Sequence, residues 1–109
     1  MTQTASRIAA ALALGLAAVT VQAAGDVEAG RRKAQACTPC HGTEGLSVAP
    51  DAPNLAGQPE LYLATQLRHY RGGQRKHEVM SLMAKPLSDA DIDNLAAWFS
   101  SRKIALQKP

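Results

Sequence analysis

The stretch Ala36-Cys37-Thr38-Pro39-Cys40-His41-Gly42, ACTPCHG in one-letter code, holds both cysteines of the 109-residue chain and sets an imidazole directly after the second. Two thiols and a histidine this close together suit three chemistries: a redox disulfide, a zinc site, or covalent attachment of a haem. The residues around the cluster separate these readings, and the fold follows from the choice.

Upstream, Met1 to Ser6 are uncharged, Arg7 is positive, and Ile8 to Val21 form an unbroken run of Ala, Leu, Val, Ile, Gly and Thr. Val21-Gln22-Ala23 then offers the small residues that a signal peptidase reads. Basic, apolar and small regions in this order describe a cleavable secretory signal peptide. The apolar run is shorter than the roughly 20 residues a spanning helix needs. The expectation is export to the periplasm, cleavage before Ala24, and no stable membrane anchor.

Removal of residues 1–23 leaves 109 − 23 = 86 residues, one domain spanning 24–109. A chain this short buries a modest share of its surface, so a disulfide, metal or cofactor often supplements its core. An aromatic content of 4% points the same way, because aromatic rings are the bulkiest core fillers. The formal charge of +3, or +2 once Arg7 leaves with the leader, is too small to imply nucleic acid as a partner.

Three helices can be read from the remaining sequence. The first is expected over about Asp26 to Ala36, with Asp26 as N-cap and Val27, Gly30, Ala34 and Cys37 on one face. The second begins at Pro59 and ends at Gly72-Gly73, with Leu63, Leu67 and Tyr70 as its apolar stripe. In the third, Ser88 and Asp91 resemble a capping box, and Ile92, Leu95, Ala96 and Phe99 recur at helical spacing. Arg102 and Lys103 suit the negative end of that helix. No β-branched alternation suggests a sheet, so the fold class is all-α. Two irregular stretches remain, Gly42 to Gln58 and Gly72 to Leu87. Loops this long are uncommon in compact domains unless they have a task. Around a large flat apolar ligand they would act as walls.

A thioredoxin-like disulfide expects a βαβ context that this pattern lacks. A structural bridge across two residues closes too small a loop to stabilise much. Zinc needs two ligands beyond the cysteines, and His41, His69 and His77 form no finger-like pair with them. Haem explains every residue. On a helical turn Cys37, Cys40 and His41 lie at i, i+3 and i+4 and face one way. The thiols can then add to the vinyl groups on one haem edge while the imidazole reaches the iron. Cys-x-x-Cys-His is the c-type haem attachment motif.

Three segments, GDVEAGRRKAQACTPCHG, APNLAGQPELYLATQLRHYRGGQR and MSLMAKPLSDADIDNLAAWFSS, span almost the whole of 24–109. Together they resemble the class I cytochromes c, especially the small bacterial cytochromes c553 and the single-haem halves of cytochrome c4. The resemblance implies a small class I cytochrome c fold, about three main helices and long loops around one covalent haem c. It implies thioether bonds at Cys37 and Cys40 and His41 as the proximal iron ligand. Among Met80, Met83, His69 and His77, the family's position before the last helix matches Met80 as distal ligand, with Met83 one turn on as the rival. A thioether favours ferrous iron and raises the potential relative to a second imidazole. Pro53, in APNL, would accept a hydrogen bond from the outer ring nitrogen of His41. Gly30 and Trp98 match the crossing of the first and last helices.

The implied function is electron transport, not enzymic catalysis: six-coordinate iron passes single electrons but has no open position for substrate. The partners expected are redox proteins, among them membrane respiratory complexes or periplasmic dehydrogenases. Arg68, Arg71, Arg75, Lys76 and Lys85 form either a solvated face or a docking surface for an acidic partner. The alternatives are a haem-bearing subunit of a larger dehydrogenase or oxidase complex, a haem enzyme or sensor with an open distal site, and a thiol–disulfide redox protein.

Overall fold

Asp26 opens the first helix: its extended backbone turns the side chain to accept from Ala29 N–H at 2.7 Å, satisfying a donor that the helix cannot. In this computed structural model, residues 24–109 and Gly15 are described; the expected leader over 1–23 otherwise lies outside the described residues. Helix α1 spans Val27–Lys33, with Glu28 in its first turn and Arg31, Arg32 and Lys33 in its last, as the helix dipole favours. The chain then tightens into a 3-10 segment, Ala34–Cys37, and re-forms a short helix α2, Thr38–His41. The single helix expected over 26–36 is therefore two kinds of turn. The tighter winding carries the chain from Lys33 into the cysteine turn, and the Thr38 hydroxyl donates back to Ala34 C=O at 3.3 Å.

Helix α3, Glu60–Gly72, starts after Pro59 and stops where Gly73 takes a left-handed φ of 83°. Helix α5, Asp89–Ser100, starts with a complete capping box: the Ser88 hydroxyl accepts from Asp91 N–H, and the Asp91 carboxylate accepts from Ser88 N–H, both at 3.0 Å. Between them, the segment expected to be irregular contains a further short helix α4, Met80–Ala84. Five residues are too few to show a period, so the pattern gave no sign of it. All regular elements among the described residues are helical.

The core lies where α5 meets α1 and α3. It consists of Ala34, Leu63, Ala64, Ile92, Leu95, Ala96, Trp98 and Phe99, with Cys37, Leu55, Leu67 and Leu87 packed against it. The expected stripes of α3 and α5 supply most of it. Val27 was expected on the inner face of α1 but is exposed, because the surface facing α5 is built by Gly25, Gly30 and Ala34 instead. A Cβ on Gly30 would meet Trp98 Cβ at 2.8 Å, so the helices cross almost backbone to backbone. Asp26 N–H donates to Asn94 Oδ1 at 2.7 Å across the same crossing. Arg68–Asp93 and Arg71–Asp89, each 2.6 Å, link α3 to α5.

Candidate functional site

Cys37 ends the 3-10 segment and Cys40 and His41 lie on α2, so one continuous turn carries all three. Both thiols are free; Cys37 is half-buried and Cys40 exposed. Burial pushes the Cys37 thiol above its ordinary pKa, the neighbouring Cys40 adds to this, and Lys33 opposes it. A thiol held protonated is a weak nucleophile, which is opposite to the activation that thiol–disulfide exchange uses. Among the described residues, no three His, Cys, Asp or Glu side chains converge to hold a metal ion.

His41 is the only polar side chain in the buried class among the described residues. Its Nδ1 lies 2.8 Å from the Pro53 carbonyl oxygen. A carbonyl can only accept, so Nδ1 carries the ring proton and Nε2 keeps its lone pair, the state a metal requires. The loop after His41 fixes this contact. Gly42, with φ 78°, ends α2, and a side chain there would strike the Leu46 carbonyl. Val48 N–H donates to Cys40 C=O at 3.1 Å, and Ser47 N–H donates to Asn54 Oδ1 at 2.7 Å. Leu55 and Ala56 N–H both donate to Gly45 C=O, at 2.7 and 3.0 Å, closing the loop on either side of Pro53. Finally, Gly57 N–H donates to Phe99 C=O at 2.9 Å and ties the loop to α5. The loop is a wall pinned to the core by its own backbone.

Met80 is the first residue of α4 and is half-buried; Met83, one turn later, is 41% exposed. His69 lies in the last turn of α3. His77 has a part the sequence reading missed: its Nδ1 accepts from the backbone N–H of Val79 and of Met80, both at 3.2 Å. The residues present fit a haem c. Two thiols and an imidazole with a free Nε2 share one turn, and the segments after His41 and around Met80 expose the apolar residues Leu46, Val48, Val79 and Leu82.

The basic residues divide into two sets. Arg68 and Arg71 are engaged with Asp93 and Asp89, and Arg71 also donates to Leu87 C=O at 3.0 Å. Arg75 lies over the Tyr70 ring at 4.7 Å and donates to Gln66. Lys76 and Lys85, with His77, line an open cavity of about 600 Å³ between α3 and α4. The five residues read together from sequence are therefore partly internal struts. Arg102, expected to complement the end of α5, instead stacks on Trp98 at 3.9 Å and pairs with Glu44 at 2.8 Å. No helix among the described residues is long and apolar enough to cross a membrane.

Comparison with known proteins gives a consistent result. The family model for cytochrome c matches residues 27–103. Cytochrome c-554(548) of Halomonas halodenitrificans is 47% identical over 83 residues, covering 73% of this chain and 100% of that protein. The solved structure of reduced cytochrome c4 from Pseudomonas stutzeri superposes with a TM-score of 0.69 at 46% identity, over 73% of this chain and 47% of that one. Thiosulfate dehydrogenase from Marichromatium purpuratum gives 0.68 at 37% identity, over 73% of this chain and 19% of the other. The chain spans about half the length of the cytochrome c4 relatives it matches.

Proposed function

This chain belongs to the cytochrome c family, whose domain carries covalently bound haem c, and on that premise we propose that it is a periplasmic single-haem electron carrier. The observation that carries the reading is the turn from Cys37 to His41 with Nδ1 of His41 bound to Pro53 C=O at 2.8 Å. When bound, the haem supplies an iron that gains or loses one electron. Cys37 and Cys40 would hold the ring edge through thioethers. His41 would bind the iron through Nε2, with Pro53 C=O holding its tautomer and orientation. Met80 would supply the second protein ligand to the iron, and its neutral sulfur would favour the ferrous form. The pinned loop 42–57 would shield the His41 side of the group from water and hold the imidazole in place. Residues 1–23 act as the cleaved leader that directs residues 24–109 to the periplasm.

Its partners are redox proteins, and the finer expectation is membrane respiratory complexes or periplasmic dehydrogenases. A second reading, a haem-bearing subunit of a dehydrogenase complex, is favoured by the similarity to thiosulfate dehydrogenase. Protein purified from a host that matures c-type cytochromes tests the function. The haem is expected to stay with the chain in acidified organic solvent, and to extract freely once Cys37 and Cys40 are both Ala. Free extraction from the parent chain would overturn the assignment. Co-purification with a dehydrogenase at fixed stoichiometry would favour the second reading.

A further inference from the structure

We propose that His77 is a positioning residue for Met80: its imidazole clamps the turn that presents the thioether to the haem iron. The inference rests on the proposed role of Met80 as distal ligand. Helix α4 has only five residues, Met80–Ala84, and Val79, where it begins, makes no side-chain cap. A helix of this length cannot persist on its own, and its first N–H groups have no partner within it. At its far end it is held by packing, since Ala84 is 0% exposed. At its near end, where Met80 sits, the hold comes from His77.

Four bonds close that end. Nδ1 of His77 accepts from Val79 N–H and Met80 N–H, each at 3.2 Å. The His77 backbone N–H donates to the Ser81 hydroxyl at 3.0 Å, and Ser81 N–H donates to His77 C=O at 3.0 Å. The arrangement has the logic of a capping box, with imidazole in place of the usual carboxylate or hydroxyl. Backbone N–H groups only donate, so Nδ1 presents its lone pair to both and the ring proton of the neutral imidazole lies on Nε2. One of the two donors is the amide of Met80 itself, so the clamp fixes the backbone from which the ligand side chain springs. The preceding Gly72-Gly73 pair supplies no such restraint. His77 thus acts through the backbone of Met80.

The test uses the haem-loaded protein carrying His77→Ala, His77→Asn or Met80→Ala. Asparagine offers a side-chain oxygen suited to capping and is the rescue variant. In His77→Ala, the methionine-to-iron charge-transfer band of the oxidised protein is expected to weaken. Added imidazole, which must displace the methionine, should bind about fivefold faster, the factor that follows from losing one capping contact. Amide hydrogen exchange at Val79 and Met80 should accelerate as well. His77→Asn should restore all three readouts. If His77→Ala leaves them unchanged while Met80→Ala abolishes the band, the positioning role falls and the Met80 assignment stands. If His77→Asn is as defective as His77→Ala, the role of the acceptor is refuted. A band that survives Met80→Ala overturns the ligand assignment itself.

Discussion

Replacing Gly30 by Ala sets two effects against each other. In an exposed helix alanine is favoured over glycine by about 1 kcal/mol. At this position the new methyl would land on the Asn94 carbonyl, 2.6 Å from its carbon, and 2.8 Å from Trp98 Cβ. The Asn94 atoms are backbone of α5 and cannot swing aside as the tip of a flexible side chain would. Helix α1 must therefore withdraw as a unit, loosening Ala34 from Ile92, Leu95 and Trp98 in the shared core. Overpacking of this kind costs at its upper range about 3 kcal/mol, and the unyielding backbone places Gly30 there. Subtracting the propensity gain leaves a loss of about 2 kcal/mol. A domain of this size loses roughly 4–8 °C per kcal/mol, so Tm should fall by about 8–16 °C. Thermal melting of the haem-loaded protein, followed by far-ultraviolet circular dichroism, measures it. A Tm for Gly30→Ala equal to or above that of the parent would refute the close-crossing argument.

The Ser88 backbone N–H, aided by Lys33 and the Ser88 hydroxyl, holds the Asp91 carboxyl below its ordinary pKa. A carboxyl depressed in the folded state contributes stability above its unfolded pKa of about 3.9 and loses it as pH falls through the folded value. Asp91→Asn should therefore melt lower than the parent at neutral pH, with the gap closing as pH drops below about 4; a gap independent of pH would rule out the charge as its source. Lys76→Glu with Lys85→Glu should slow reaction with an acidic redox protein and flatten its salt dependence without moving the potential, because these lysines are not among the arginine struts; an unchanged rate would make them ordinary solvated residues. Arg71→Glu should instead lower Tm by opposing Asp89, a change visible in the absence of any partner. Mass spectrometry of the exported protein should give a chain starting at Ala24 plus one haem; retention of Met1 would contradict cleavage of the leader.

What the sequence revealed depended on how local each signal was. Ser88, Asp91 and the apolar positions of α5 form a short-range pattern, and the helix appears where that pattern places it. Gly72-Gly73 likewise marks the end of α3. The Cys37–Cys40–His41 spacing is local, so the shared turn was legible, whereas the change to 3-10 winding after Lys33 depends on how the chain enters that turn. Val27 was misplaced because α1 approaches α5 through glycines, which periodicity counts as neither apolar nor polar. Helix α4 was missed because five residues cannot display a period and their cap is a histidine, a residue not read as a helix start. The pairing of Arg102 with Glu44 and its stacking on Trp98 join residues far apart in sequence, so no window over the chain could reveal them. The division of the basic residues into struts and cavity-lining lysines has the same origin.

The crossing of α1 with α5 also sets an order of events. Asp26 meets Asn94 across 68 positions, so the first helix finds its partner only in the last. Contacts between such distant residues are slow to form, since the intervening chain must first be gathered in. A chain that emerges N-terminus first therefore presents Cys37 and Cys40 well before α5 exists to seal the core. Throughout that interval both thiols lie on a chain whose core is still open. The 68-residue separation of Asp26 from Asn94 thus makes the closing of α1 on α5 a late event in the assembly of this core. A chain truncated before Asp89 would hold the window open indefinitely: its thiols would stay accessible, and α1 would have nothing to close against.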